Sequence, residues 1–214
     1  MDIKNLTINF LGDSITEGCC VDNPEEFFVN RIAKVTGGEC RNYGVGGTRI
    51  ARQSRNTRVD HPTRYSLDFN ARVVCMDHNA DLVVVFGGTN DFGHGIAPLG
   101  HDNDRTEYTF YGAMHCLCQN LLRHYPSNRI VFLTPLYRFP PAPTDMLPAL
   151  EEYVRIILEV TAQYGIPVLN LYENSEIHPR TPNAKELYTV DGLHPNGDGH
   201  GVLAREIMDF LATL

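Results

Sequence analysis

Val83-Val84-Val85-Phe86 carries no polar side chain at any position, so neither face of this run can be left to water. A short apolar segment closed by Gly87-Gly88 reads as a strand covered on both sides, and covering both faces of a sheet takes helices on both. Strand-like segments recur at Leu6 to Leu11, Glu39 to Tyr43, Arg129 to Leu133 and Pro167 to Leu171, with helical stretches between them. Strands alternating with helices form a parallel sheet, so the expected fold is α/β: a three-layer α/β/α sandwich with a five-stranded parallel sheet. A chain of 214 residues can bury one substantial core, and a single domain over 1–214 is expected.

The helices have legible ends. Asn23 as N-cap, Pro24 at the first helical position and Glu26 three residues after the cap predict a helix start. Phe27, Phe28, Ile32 and Val35 form its apolar face and Gly37 its stop. Helices are also expected over Glu107 to Tyr125, over Asp145 to Tyr164 with Leu150, Val154, Ile157 and Leu158 on one stripe, and over Gly201 to Leu214.

In an open parallel sheet, ligands sit beyond the carboxyl ends of the strands. The residues found there carry chemistry. Gly12-Asp13-Ser14 follows the first strand, Asn42-Tyr43-Gly44-Val45-Gly46-Gly47 the second, Gly87-Gly88-Thr89-Asn90-Asp91 the third, and Asp191-Gly192-Leu193-His194-Pro195 lies beyond the fifth. A serine is a poor nucleophile at its ordinary pKa and must pass its proton to a histidine that an acid orients. Pro195 biases His194 toward extended backbone, so Asp191 and His194 belong to one loop in which the carboxylate can reach Nδ1 and leave Nε2 for Ser14.

Each of these residues also has a plain structural reading. Ser14 could cap a short turn, Asn90 could bond its own loop, and an isolated Asp-x-x-His pair is common. Gly44 and Gly46 read as loop positions that need positive φ, and Asp91 as a cap or loop-holding carboxylate.

Taken together, the four separated motifs resemble the SGNH, or GDSL, hydrolase family, from Leu11 to Pro195. The resemblance implies the flavodoxin-like SGNH hydrolase fold and a catalytic triad of Ser14, Asp191 and His194. It also implies an oxyanion hole made by Ser14, Gly47 and Asn90. Family members act on carbohydrate O-acetyl esters, lysophospholipids, acyl thioesters and simple esters. With no long apolar insertion to cover a lipid tail, the expected function is a serine esterase removing short, acetyl-type groups from a soluble, carbohydrate-like molecule. The alternatives are a lysophospholipase or thioesterase of the same family, and a non-catalytic ligand-binding module that keeps the fold. A nucleotide-binding protein is disfavoured, because neither G-x-x-x-x-G-K-[ST] nor G-x-G-x-x-G follows a strand.

Charge narrows the partners. The formal net charge of −8 disfavours nucleic acid and anionic membrane surfaces, both of which reward a basic face. The apolar runs are far shorter than the roughly 18 residues of a membrane span, and the amino terminus lacks a basic segment followed by an apolar stretch, so a cytoplasmic location is expected. Within this acidic chain Arg49, Arg52, Arg55, Arg58 and Arg64 cluster after the second motif. They read either as a solvated face or subunit contact in a homo-oligomer, or as a rim that recruits an anionic ester. On the second reading Arg49 and Arg52, with Asp13, contact substrate. Arg138-Phe139-Pro140-Pro141-Ala142-Pro143 reads as a stiff loop over the same edge, a candidate pocket wall.

The six cysteines, Cys19, Cys20, Cys40, Cys75, Cys116 and Cys118, read as reduced, buried, structural thiols without zinc spacing. His94, His101 and His178 have no partner at ligand spacing, and His101-Asp102-Asn103-Asp104 reads as a polar loop because Thr106 stands where a calcium loop places glycine. Neither a metal nor another cofactor is expected.

Overall fold

The computed structural model describes residues 1–54, 67–140 and 148–214. In chain order the elements are β1 (Thr7–Gly12), α1 (Ser14–Glu17), α2 (Phe28–Thr36), β2 (Glu39–Gly44), α3 (Phe69–Val73), β3 (Leu82–Phe86), α4 (Thr89–His94), α5 (Phe110–Leu122), β4 (Ile130–Leu133), α6 (Leu150–Gln163), β5 (Val168–Leu169), α7 (Leu171–Asn174), α8 (Ala184–Tyr188) and α9 (Gly197–Thr213). The five strands make one parallel sheet in the order β2-β1-β3-β4-β5. This is the flavodoxin-like order, with the direction of winding reversing between β1 and β3.

The all-apolar β3 explains the layering. Leu82, Val84 and Phe86 enter one buried cluster, with Ile8 and Phe10 of β1, Val131 and Leu133 of β4, and Ile32, Leu203 and Ile207 of α2 and α9. Val83 and Val85 enter the other, with Leu11, Ile130 and Phe132 and with Leu117, Leu121, Val154 and Ile157 of α5 and α6. Alternate side chains of one strand thus serve two cores, which a strand wet on one face could not do.

Register brings the strand ends level. Gly12 pairs with Gly44 and with Phe86, Phe86 with Leu133, and Leu133 with Leu169, so the loops after the strands open on one edge.

The helix boundaries depart from the sequence expectation in instructive ways. Asn23 does cap, accepting from the Glu25 amide, but the turn it caps is a single 3-10 turn, Pro24–Glu26. Phe27 is extended, and the α-helix begins only at Phe28. Its buried stripe is Phe28, Val29, Ile32 and Thr36, leaving Val35 at the margin and 69 % exposed. The last helix starts four residues earlier than expected, at Gly197, because the Asn196 side chain accepts from the Gly199 amide and supplies a cap. The cysteines are free, but Cys20 and Cys75 are exposed, so burial is not a property of the whole set.

Candidate active site

The carboxyl edge of the sheet is organised around the turn after β1. Asp13 caps α1 by accepting from the Ile15 amide at 3.1 Å, which leaves Ser14 as the first residue of the turn with its side chain uncommitted to capping. Ser14 Oγ lies 3.0 Å from His194 Nε2, and His194 Nδ1 lies 2.8 Å from Asp191 Oδ2. The other Asp191 oxygen accepts from the amides of Leu193, at 2.9 Å, and His194, at 2.7 Å. Burial pushes the Asp191 carboxyl up, but the His194 amide and ring and the Leu193 amide outweigh it and hold the group below its usual value. The resident charge on Asp191 favours an imidazole with its proton on Nδ1 and a free lone pair on Nε2, aimed at a hydroxyl. That arrangement can take a proton from Ser14 and give it back.

A cavity of about 370 Å³ opens over Ser14 and His194, and Gly46, Gly47, Asn90, Leu193 and Arg138 are among its walls. Gly47 has φ of +76°, a conformation that glycine adopts without steric cost. Gly44 and Gly46, expected at positive φ, are not in that region. Gly44 is needed for a different reason: a Cβ there would run into the Glu17 backbone, where α1 crosses the end of β2. The loop carrying Gly47 is fastened from below by Arg72. Its guanidinium is buried and donates to the Gly12 carbonyl at 3.0 Å, to Thr48 Oγ1 at 2.8 Å and to the Tyr43 carbonyl, joining the ends of β1 and β2 to the loop.

Asn90, in the first turn of α4, donates from Nδ2 to the Thr48 carbonyl at 3.0 Å. An amide carries two N–H groups, so the nitrogen retains a second donor at the cavity wall. Asn90 Oδ1 meets His94 Nε2 at 3.0 Å, and His94 Nδ1 meets Arg49 Nη1 at 3.0 Å. Asp91 performs the loop-holding role, its two oxygens accepting from the Ile50 and Ala51 amides at 2.9 Å each. Burial pushes its carboxyl up to about 7 against the pull of those amides.

Three expected substrate contacts fall elsewhere, and none of them lines this cavity. Arg49 is 2 % exposed and bonds His94 through both its ring and its carbonyl, so it is interior structure and not a rim. Arg52 is spent on Asp68, at 2.7 Å, and on Glu107. Asp13 is buried beneath the turn it caps, and burial raises its carboxyl to about 6. Arg55, Arg58, Arg64 and Pro141 to Pro143 lie outside the described residues. Sequence reasoning missed Arg72, which has no local signal, and His94, whose i, i+4 spacing from Asn90 on a helix was readable.

The family model for GDSL-like lipases and acylhydrolases matches residues 10–202, spanning all four loops. The chain belongs to the GDSL-like lipase/acylhydrolase family. Members of this family are ester hydrolases, and this chain is one. A protein from Lactobacillus plantarum of known structure is 29 % identical with a TM-score of 0.82, covering 98 % of both chains. The lipase/acylhydrolase from Enterococcus faecalis shares the fold at 24 % identity and a TM-score of 0.68, covering 96 % of this chain and 95 % of its own. An acetyl xylan esterase shares it at 19 % identity and a TM-score of 0.68, covering 96 % of this chain and all of its own, 100 %. No curated protein matches the chain. Among the described residues of this GDSL-like hydrolase, no helix is long and apolar enough to cross a membrane.

Proposed function

We propose that the chain is a serine esterase that cleaves short-chain carboxylic esters through an acyl-enzyme. The observation that carries this reading is the continuous Ser14–His194–Asp191 chain, 3.0 Å and 2.8 Å between successive side-chain atoms. Ser14 Oγ attacks the ester carbonyl as His194 Nε2 takes the hydroxyl proton. The tetrahedral oxyanion is held by the Ser14 and Gly47 amides and by Asn90 Nδ2, and it collapses as His194 protonates the departing alcohol. Water then attacks the acyl-serine, giving its proton to His194, and the second collapse frees the acid and returns the proton to Ser14.

A short acyl group is favoured by the modest volume of the cavity and by its Asn90, His94, Arg138 and Glu17 side chains, which offer little to a long alkyl tail. The likeness to an acetyl xylan esterase supports a soluble, carbohydrate-like alcohol. A fluorophosphonate should label Ser14, and Ser14→Ala should lose both label and esterase activity. Turnover of 4-nitrophenyl acetate, butyrate and octanoate should fall with acyl length. Preference for octanoate would point to the lysophospholipase or thioesterase branch, and full activity in Ser14→Ala would overturn the mechanism.

A further inference from the structure

We propose that Arg138 receives an anionic group carried by the substrate, a carboxylate or phosphate, so that this site is built for acidic esters. The proposal rests on the hydrolase reading of Ser14 and names its substrate class. Arg138 follows β4 and lines the cavity shared by Ser14, Asn90 and His194. Its segment is tied to the loop that bears Asp191 and His194, since the Phe139 amide donates to the Gly192 carbonyl at 2.9 Å. Lys185 Nζ in α8 donates to the Pro140 carbonyl at 2.5 Å. The backbone that carries Arg138 is therefore tied to the loop that bears the reacting groups.

Its own partners are few. Arg138 Nη1 has one long contact to the Thr89 carbonyl, at 3.5 Å, and the guanidinium lies over the Phe92 ring at 5.3 Å. Nε is buried without a hydrogen-bond acceptor, and among the described residues no carboxylate lies within ion-pair distance of Arg138. The contrast with other arginines of the fold is chemical. Arg52 has Asp68 and Glu107, Arg155 has Glu152 and Glu159, and Arg72 has three oxygens. Holding a guanidinium partly out of water without an anion costs free energy, and arginine cannot escape by losing its proton. Burial lowers the Arg138 pKa, the direction expected of a cation short of compensation. Gly93 makes the space: a Cβ there would stand 2.5 Å from Nη1.

The acid nearest in influence, Asp191, is committed to His194 and two amides. Glu17, the carboxylate among the described residues that line the cavity, accepts from the Gly46 amide at 2.8 Å on the β2 side, where α1 packs against the end of β2. With β2 and β4 on either side of β1 and β3, Arg138 reaches the cavity from the β4 side. An anion would enter at the Arg138 side, where the planar fork of donors matches carboxylate or phosphate oxygens.

The test compares phenyl acetate with 3-carboxyphenyl acetate, acidic on the alcohol side, and with the phenyl monoester of succinate, acidic on the acyl side. Wild-type kcat/KM should favour at least one acidic ester over the neutral one by roughly ten- to hundredfold, and which one is favoured reports where the charge sits. That advantage should shrink with added salt. Arg138→Gln should collapse the acidic-to-neutral ratio, mainly through KM, and Arg138→Lys should restore part of it. Labelling of Ser14 by a fluorophosphonate in Arg138→Gln establishes an intact site. Equal wild-type kcat/KM on all three esters, or an equal proportional loss on all three in a labelled Arg138→Gln, would overturn the proposal. Absence of both labelling and turnover in the wild type would instead remove the hydrolase reading on which it stands.

Discussion

His94 Nε2 stands 3.0 Å from Asn90 Oδ1, one turn further along α4, and this contact decides which way round the Asn90 amide sits. Arg49 can only donate, so the His94 Nδ1 that it meets at 3.0 Å is an acceptor and Nε2 carries the proton. That proton requires an oxygen, and the amide nitrogen is thereby turned toward the Thr48 carbonyl and the cavity wall. His94 is thus a positioning residue. His94→Ala should lower kcat by about tenfold with little change in KM, because a loosened donor acts on the transition state more than on the ground state. His94→Gln, which can still donate to Oδ1, should recover part of the loss. A pure KM effect would reassign His94 to substrate contact.

Asn90 itself should matter more. As the only side-chain donor proposed for the oxyanion, its replacement by alanine should reduce kcat by about 10²- to 10³-fold, or roughly 3 to 4 kcal/mol of transition-state stabilisation. Combining Asn90→Ala with His94→Ala gives a sharper check. If His94 acts through Asn90, the double variant should be no slower than Asn90→Ala alone. Additive losses would show that His94 acts by another route.

Asp191→Asn separates orientation from charge. The asparagine can keep an oxygen toward the Leu193 and His194 amides, now at 2.9 Å and 2.7 Å, but it presents an N–H to His194 Nδ1 and favours the wrong tautomer. A fall in kcat of about 10⁴ is expected, as for the corresponding change in a serine protease triad. Retention of most activity would mean that the carboxylate serves the loop and not the imidazole.

The layered fold was legible because it follows from local chemistry: a strand such as Val83 to Phe86 can only be buried on both faces, and glycine breaks mark where strands end. The positions of Ser14, Asn90, Asp191 and His194 beyond strand ends followed from the same pattern. What the chain concealed was which charges are solvated. Arg49 and Arg52 look in sequence like one basic patch, yet one is interior and one is paired to Asp68 and Glu107 across the fold. Arg138 looked like part of a proline-stiffened wall, and only the arrangement around it reveals a guanidinium with too few oxygens. Partners supplied by distant segments have no sequence period, so no local rule exposes them. Gly44 differed from expectation for a related reason, since its missing Cβ is demanded by the crossing Glu17 backbone and not by its own φ.

Folding stability should depend on pH through a buried histidine. His200 in α9 is wholly buried, accepts from the Phe28 amide at Nδ1 over 3.1 Å, and stacks on the Phe28 ring with centroids 5.8 Å apart. Burial, with a smaller push from Arg31, lowers its pKa from 6.5 to about 4. Because the folded pKa is the lower one, the unfolded chain binds more protons between these values, and stability must fall as pH drops from about 6.5 to about 4. The full difference corresponds to about 3 kcal/mol. Asp13 and Asp91 act with the opposite sign: burial raises them to about 6 and about 7, the folded chain holds their protons longer, and stability falls as pH rises from about 3.8 through those values. The wild-type pH profile is therefore a sum of opposed slopes. Subtracting the profile of His200→Gln, which keeps an acceptor for Phe28 and does not titrate, isolates the histidine. Chemical denaturation should show the wild-type advantage over His200→Gln shrinking by about 3 kcal/mol between pH 6.5 and pH 4, while the Asp13 and Asp91 contributions cancel. A difference that stays level across this range would mean that His200 is charged, or already solvated, in the folded protein.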